Sequence, residues 1–170
     1  MEKRTGVPPL DTAKFRKIEM PRGAGKTSLV TQAYTIQRIC AAPNISILLA
    51  NEKEQNAKDF LAAIKYQFET NEFLRTLFPE VIPSDLNDTT WSASRIIVKR
   101  TTGRQEPTVF VIGVGGTVTG MHPDLIIVDD CISREAMENA RMGSWQIMHQ
   151  VNRWIHQLEP LLNPHALPFP

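Results

Sequence analysis

The chain has 170 residues, and its 19 Lys and Arg nearly balance 18 Asp and Glu. This length suits one domain with a real core, and the near-neutral charge means that any DNA contact has to be local. Cys40 and Cys131 lie far apart without a C-x-x-C pattern, which argues against a disulfide framework or zinc site and suits a reducing compartment. No apolar run approaches the roughly 20 residues of a membrane span, and the N-terminus lacks the apolar core of a signal peptide.

Short apolar runs then alternate with stretches whose apolar residues have helical spacing, which predicts a mostly parallel α/β sheet flanked by helices. The predicted strands are residues 15–20, 45–50, 95–100, 108–114 and 125–130. The predicted helices run from Ser28 to about Cys40, from Glu52 through Phe68 with a continuation to Phe78, and after Asp130 with an interruption near Gly143. In its last part Trp145, Met148, Val151, Ile155, Leu158 and Leu162 align on one face.

The stretch from Glu19 to Thr27 ends in Gly25-Lys26-Thr27, the end of a phosphate-binding loop. Glycines allow backbone amides to turn toward phosphate oxygens, Lys26 would reach the β- and γ-phosphates, and the Thr27 hydroxyl would ligate Mg²⁺. Met20 stands where the full pattern G-x-x-x-x-G-K-[ST] has glycine. A loop between a strand and a helix N-terminus favours anions. The predicted nucleotide-binding residues are Arg22, Gly23, Ala24, Gly25, Lys26, Thr27 and Ser28.

A second acidic feature fits this loop, because the apolar run 125–128 ends in Asp129-Asp130. Ligands of open α/β sheets bind at the carboxyl ends of strands, so Thr27 and Asp129 are predicted to meet there. Asp129 would hold Mg²⁺, through water, and Asp130 would polarise an attacking water. The alternative for both residues is that they end a strand and cap the next helix.

Several short motifs occur in order along the chain: residues 21–27, Asn71-Glu-Phe-Leu, Phe78-Pro-Glu80, Trp91-Ser, and residues 120–130. Together they resemble the ATPase domain of tailed-phage terminase large subunits over roughly residues 14–165. The resemblance implies a RecA-like P-loop NTPase of the ASCE type, with ATP and Mg²⁺ as cofactors. It further implies a motor that couples ATP hydrolysis to translocation of double-stranded DNA, self-association in a ring, portal and small-terminase partners, and the bacterial host's cytoplasm.

The resemblance also implies roles for particular residues. Lys26 and Thr27 fall on the phosphate loop, Asp129 on the Mg²⁺ carboxylate and Asp130 on the catalytic carboxylate, while Arg22 matches a loop arginine near the γ-phosphate. The implied catalytic residues are therefore Asp130, Arg22 and Lys26, and the implied metal ligands are Thr27 and Asp129.

The chain departs from this family in what it contains. The family's nuclease domain and its Thr-rich coupling strand are absent, and the residues before the loop leave little room for adenine recognition. We therefore expect residues 1–170 to form a single partial ATPase domain, incomplete at the C-terminus, that is weak or inactive alone. Two alternatives remain: a small P-loop kinase, although no Arg-rich lid follows Asp130, and a truncated remnant that binds nucleotide weakly or not at all.

Two further groups of side chains carry weaker hypotheses. Arg95, Lys99, Arg100 and Arg104 could contact DNA phosphates, but a solvated charged hairpin is the favoured interpretation. Trp91, Trp145 and Trp154 are predicted to be core or interface aromatics.

Overall fold

A four-stranded, mostly parallel sheet organises the protein. The computed structural model describes residues 15–21 and 23–163, and the side chain of Arg134 is outside this description. Strand β1 (Ile47–Asn51) lies between β3 (Val109–Gly113) and β4 (Leu125–Val128) and is parallel to both. Strand β2 (Arg95–Ile96) pairs antiparallel with β3, so the strand order is β2-β3-β1-β4.

Helices cover both faces of this sheet, which is the expected α/β architecture. Among the described residues, no helix combines the length and the apolar character needed to cross a membrane. The helix after the phosphate loop is π-helical over Thr27–Ala33 and α-helical over Tyr34–Ala41 (α1). The others are α2 (Glu54–Thr70), α3 (Glu72–Leu77), α4 (Arg134–Arg141), α5 (Gln146–Leu158) and a 3₁₀ turn (Glu159–Leu161).

Strand β1 is apolar on both sides because both of its faces are buried. Ile47 and Leu49 belong to one core cluster, with residues of α1 and α2. Leu48 and Ala50 belong to the other, which Trp154 and its neighbours on α5 complete. The polar exception is Asn51, which is buried at the carboxyl end of the strand.

The predicted strand at residues 15–20 is wrong, since these residues have no regular secondary structure. Phe15 is 60% exposed and Ile18 is 49% exposed. Lys17 and Glu19 form an ion pair on the surface. Because its large apolar side chains are about half exposed, this segment lacks the burial that would fix a strand in the sheet. The loop therefore precedes a helix, as predicted, but does not follow a strand.

The other predicted strands are confirmed in place, although one is much shorter than expected. Only Arg95 and Ile96 of the predicted strand 95–100 belong to the sheet. Beyond them the backbone turns to other acceptors: Val98 N donates to Thr108 Oγ1 at 3.1 Å, and Lys99 N to Val81 O at 2.8 Å. These contacts replace the sheet ladder and end the strand.

The predicted interruption of the C-terminal helices is confirmed at Gly143, whose φ of +90° separates α4 from α5. The predicted inward face of the second helix is partly wrong. Trp145 is 53% exposed, whereas Trp154 is only 6% exposed, and its Nε1 donates to Gly116 O at 3.0 Å. Trp145 sits at the N-terminal cap of α5, outside the stripe that faces the sheet.

Arg104, one of the predicted basic cluster, is held inside the protein. Its guanidinium pairs with Asp124 and Glu106 and donates to the backbone carbonyls of His122 and Asn44. Burial would lower the pKa of Arg104, but its bonds to the two carboxylates raise it. Arg104 therefore joins the turn at residues 102–107 to the segment that leads into β4.

Two other members of the basic cluster also have internal partners. Lys99 Nζ donates to Pro79 O at 3.1 Å, and Arg100 donates to Glu106 O at 2.6 Å and to Arg104 O. The four cations therefore do not form one freely available patch.

Replacing Arg104 with alanine should lower the free energy of unfolding by about 2–3 kcal/mol, because Asp124 and Glu106 would lose their paired cation and keep hydrogen bonds from neutral donors such as Ser46 N and His122 N. The two acidic side chains are 15% and 13% exposed, so water could solvate them only in part. Urea unfolding followed by circular dichroism would measure the change. The matched control is Arg95→Ala, an exposed arginine of β2, which should change stability by less than about 0.5 kcal/mol. Equal effects of the two substitutions would contradict a structural role for Arg104.

Candidate active site

The candidate site begins at the predicted phosphate loop, which the structure shows as a tight turn that leads into a helix. Gly23 and Gly25 have φ values of +80° and +74°, a conformation that strongly favours glycine. Ala24 N donates to Pro21 O at 3.1 Å and closes the turn. The helix begins beyond Lys26, and the first amides of a helix have no intrahelical acceptor. The loop therefore presents backbone donors at its helical end, where anions are favoured.

The two predicted carboxylates lie at the carboxyl edge of the sheet, directly after β4. Asp129 N donates to Ala50 O at 2.9 Å, which keeps this backbone beside β1. The two side chains have different surroundings: Asp129 is 5% exposed, and Asp130 is 70% exposed. One carboxylate is therefore part of the interior, and its neighbour is open to solvent.

The loop and the carboxylates form one site, as the sequence predicts. Lys26 Nζ lies 2.8 Å from Asp129 Oδ1 and 2.6 Å from Asp130 Oδ1. Thr27 Oγ1 donates directly to Asp129 Oδ2 at 2.8 Å. The prediction that Thr27 and Asp129 meet at this edge of the sheet is therefore confirmed, by a direct hydrogen bond. A lysine, a hydroxyl and two carboxylates thus meet although about a hundred residues separate the two segments.

Thr31 is a member of this site that the sequence analysis missed. Its Oγ1 donates to Asp129 Oδ2 at 2.7 Å, and Thr31 itself is 1% exposed. One turn further along the helix, Thr35 Oγ1 donates back to Thr31 O at 2.6 Å. The available signal was a second threonine nearly one helical turn after Thr27, and therefore on the same side of the helix.

Asn51 is the second missed residue, and it holds the backbone of the site. Its Nδ2 donates to Asp129 O at 2.8 Å, while its Oδ1 accepts from Lys53 N and Asn56 Nδ2, both at 3.0 Å. The side chain thus has partners on both of its polar ends, as a buried amide requires. A polar residue directly after the apolar run 45–50 was the signal in the sequence.

Asp130 has a left-handed backbone conformation, with φ at +46°. Aspartate tolerates this region better than most residues, but it is uncommon outside glycine, and such outliers occur often at functional sites. Glu52 N donates to Asp130 O at 3.3 Å and helps to hold the turn. At this turn the buried side chain of Asp129 is followed by the exposed side chain of Asp130.

The contacts set the charges at the site. Burial alone would raise the pKa of Asp129, but hydrogen bonds from Lys26, Thr31 and Thr27 outweigh burial and lower it. The hydrogen bonds to Asp129 and Asp130 raise the pKa of Lys26 above its ordinary value. Lys26 and Asp129 are therefore both ionised at neutral pH.

Cys131 directly follows the two carboxylates in the chain, and its thiol is not activated as a nucleophile. Burial, followed by the charges of Asp129, Asp130 and Glu52, raises the pKa of its thiol to about 12. At neutral pH the thiol is therefore protonated, which is unfavourable for a nucleophile. The reactive groups of this edge are the oxygens and the Lys26 ammonium.

The remaining predicted binding residues have different outcomes. Ala24 and Ser28 are exposed on the loop and the first helical turn. Arg22 lies outside the described residues, so its phosphate contact stays a prediction.

No protein-family model matches this chain, and no curated protein matches it significantly. Function therefore has to follow from the geometry of the site.

Proposed function

We propose that this chain is an ATP-binding and ATP-hydrolysing P-loop domain of the RecA-like, ASCE type. The observation that carries the proposal is the convergence of Lys26 and Thr27 on Asp129 and Asp130. A mostly parallel sheet whose carboxyl edge holds the site is compatible with that fold. The loop amides and Arg22 would complete the binding of the phosphates.

The residues present fit Mg²⁺. Thr27 and Asp129 offer a hydroxyl and a carboxylate, which are the hard oxygen ligands that Mg²⁺ prefers. The described residues contain no group of three His, Cys, Asp or Glu side chains that could hold a metal ion by themselves. The ion would therefore share its coordination with water and the nucleotide, and would neutralise charge on the β- and γ-phosphate oxygens.

Lys26 and Asp130 bind each other in this structure, and each would take a new partner when a nucleotide binds. A triphosphate would draw the Lys26 ammonium from the two carboxylates toward the β- and γ-phosphates. Asp130, with an exposed side chain, would then be free to accept a proton or a hydrogen bond from the attacking water. Arg22 would stabilise charge on the transferred phosphoryl group.

The motor assignment goes further than the ATP site and rests on the order of terminase-like motifs along the chain. On that basis we propose translocation of double-stranded DNA during packaging, with self-association in a ring and portal and small-terminase partners. We expect the isolated chain to turn over ATP far below the roughly 1–100 per second of efficient phosphoryl-transfer enzymes, because parts of such a machine come from neighbouring subunits.

Phosphate release by the purified chain, measured with and without double-stranded DNA, tests this function. A rate that DNA increases would support the motor. Transfer of phosphate to a small acceptor at a rate that DNA does not change would contradict the motor and support a kinase.

An inactive remnant is the second candidate, and one feature favours it. Residues 15–20 form no strand before the loop, and β4 is an edge strand among the described residues. Within residues 15–21 and 23–163, no strand therefore leads directly into the loop. If this candidate is right, calorimetry should detect no ATP binding at nucleotide concentrations up to about 1 mM, a limit that corresponds to roughly −4 kcal/mol.

A further inference from the structure

We infer that Thr31 is a positioning residue that keeps Asp129 oriented toward Mg²⁺ when Lys26 turns from this carboxylate to the phosphates. This inference rests on the proposed nucleotide site and assigns Thr31 a role that the phosphate-loop pattern does not include. It follows from the three donors that hold Asp129 and from what each of them would contact when a nucleotide binds.

Three side chains donate to the Asp129 carboxylate. Lys26 binds Oδ1 at 2.8 Å, whereas Thr27 and Thr31 bind Oδ2 at 2.8 and 2.7 Å. An ionised carboxylate that is only 5% exposed depends on such donors, because little water reaches it.

Two of these donors would take on other contacts once Mg-ATP binds. The Lys26 ammonium would turn to the phosphates, and the Thr27 oxygen would face the metal ion while its O–H could still donate to Asp129. Thr31 lies one turn deeper in the helix and is 1% exposed, so it has no phosphate or solvent to turn to. Its contact with Oδ2 is therefore the one of the three that neither the nucleotide nor the metal ion would engage.

A persistent contact on one oxygen decides what the other oxygen can do. While Thr31 holds Oδ2, the side chain of Asp129 cannot rotate freely, and Oδ1 stays on the side where it now meets Lys26. The position that Lys26 leaves is then available to the metal ion or to one of its waters. Outer hydrogen-bond partners of this kind typically change metal affinity by about 10- to 100-fold when they are removed.

Thr31→Val removes the hydroxyl at nearly constant shape and tests the inference. Calorimetry would compare ATP affinity in excess Mg²⁺ with ATP affinity in EDTA. We expect the gain in affinity that Mg²⁺ provides to fall about tenfold in Thr31→Val, with affinity in EDTA unchanged. Thr31→Ser, which restores the hydroxyl, should restore the gain.

Thr35→Val is the matched control. Thr35 is a buried threonine of the same helix, and its hydroxyl bonds to Thr31 O and not to a carboxylate. It should leave the Mg²⁺-dependent gain unchanged. Unchanged binding in EDTA also shows that a variant is folded at the loop, and Thr31→Ala takes the place of Thr31→Val if the valine variant does not fold.

The two proposals fail in distinguishable ways. A wild-type protein that binds no ATP under either condition would overturn the proposed function and this inference with it. A wild-type protein that binds Mg-ATP, together with a Thr31→Val variant that retains the full gain from Mg²⁺, would overturn the inference alone. An equal loss in Thr35→Val and Thr31→Val would also overturn it, because the effect would then belong to helix packing.

Discussion

Lys26→Ala should abolish the binding of Mg-ATP, as measured by calorimetry. The substitution removes the cation that would meet the β- and γ-phosphates, and it leaves Asp129 and Asp130 uncompensated in the place where a polyanion has to bind. Both effects act in the same direction, so we expect a loss of affinity of at least about 100-fold, equivalent to about 2.8 kcal/mol. ATP affinity equal to that of the wild type would refute the assignment of the loop.

Lys58→Ala is the control for this experiment. Lys58 forms an ion pair with Glu54 at 2.6 Å on the surface of α2, one helical turn away in sequence. Removing that exposed pair should change stability by about 0.5 kcal/mol or less and leave ATP affinity unchanged. The comparison separates the loss of a particular lysine from the loss of one positive charge.

The same substitution should change stability in a pH-dependent way. The raised pKa of Lys26 means that its contribution is present below its ordinary pKa of 10.5 and is lost as the pH rises through the higher folded value. The lowered pKa of Asp129 means that its contribution is present above 3.8 and is lost as the pH falls through the lower folded value. Urea unfolding should therefore show Lys26→Ala to be less stable than wild type at pH 7, with the difference shrinking below about pH 3.8.

Much of the fold follows from patterns that are local in the sequence. Residue type and spacing alone predict the apolar run of β1 and the apolar face of α2. The place of Asp129 could be predicted because parallel strands bring their carboxyl ends to one edge of a sheet, whereas Thr27 reaches it from the start of a helix and not from the predicted strand. In these cases the physical rule needs no knowledge of the tertiary partner.

The errors occur where the partner decides the outcome. Phe15 and Trp145 are apolar enough to be buried, but more than half of each is exposed. Arg104 looked like a surface cation because Asp124, which pairs with it, is 20 residues away in the sequence. The local sequence does not distinguish Thr31 and Asn51 from other polar residues, because their role depends on contacts with Asp129. The residue type alone therefore does not determine which groups a side chain contacts in the folded protein.

Asp130→Asn should separate turnover from binding. Asp130 is 70% exposed and bonds to Lys26, so replacing it with an isosteric amide does not leave a buried charge unpaired. Mg-ATP affinity should therefore stay within about threefold of the wild type, a change of less than 1 kcal/mol. Turnover should fall by about 100-fold or more, because the carboxylate would no longer accept from the attacking water.

Asp129→Asn provides the contrast that makes this result specific. Asp129 is 5% exposed and accepts from Lys26, Thr27 and Thr31, so an amide there would present the wrong groups to its donors and to Mg²⁺. That variant should lose Mg²⁺-dependent affinity as well as turnover, whereas Asp59→Asn, on the exposed face of α2, should change neither. The measurement is single-turnover phosphate release with ATP affinity determined in parallel. If Asp130→Asn retains the wild-type rate, another group positions the water, and the exposed carboxylate serves only to hold Lys26 between nucleotide-binding events.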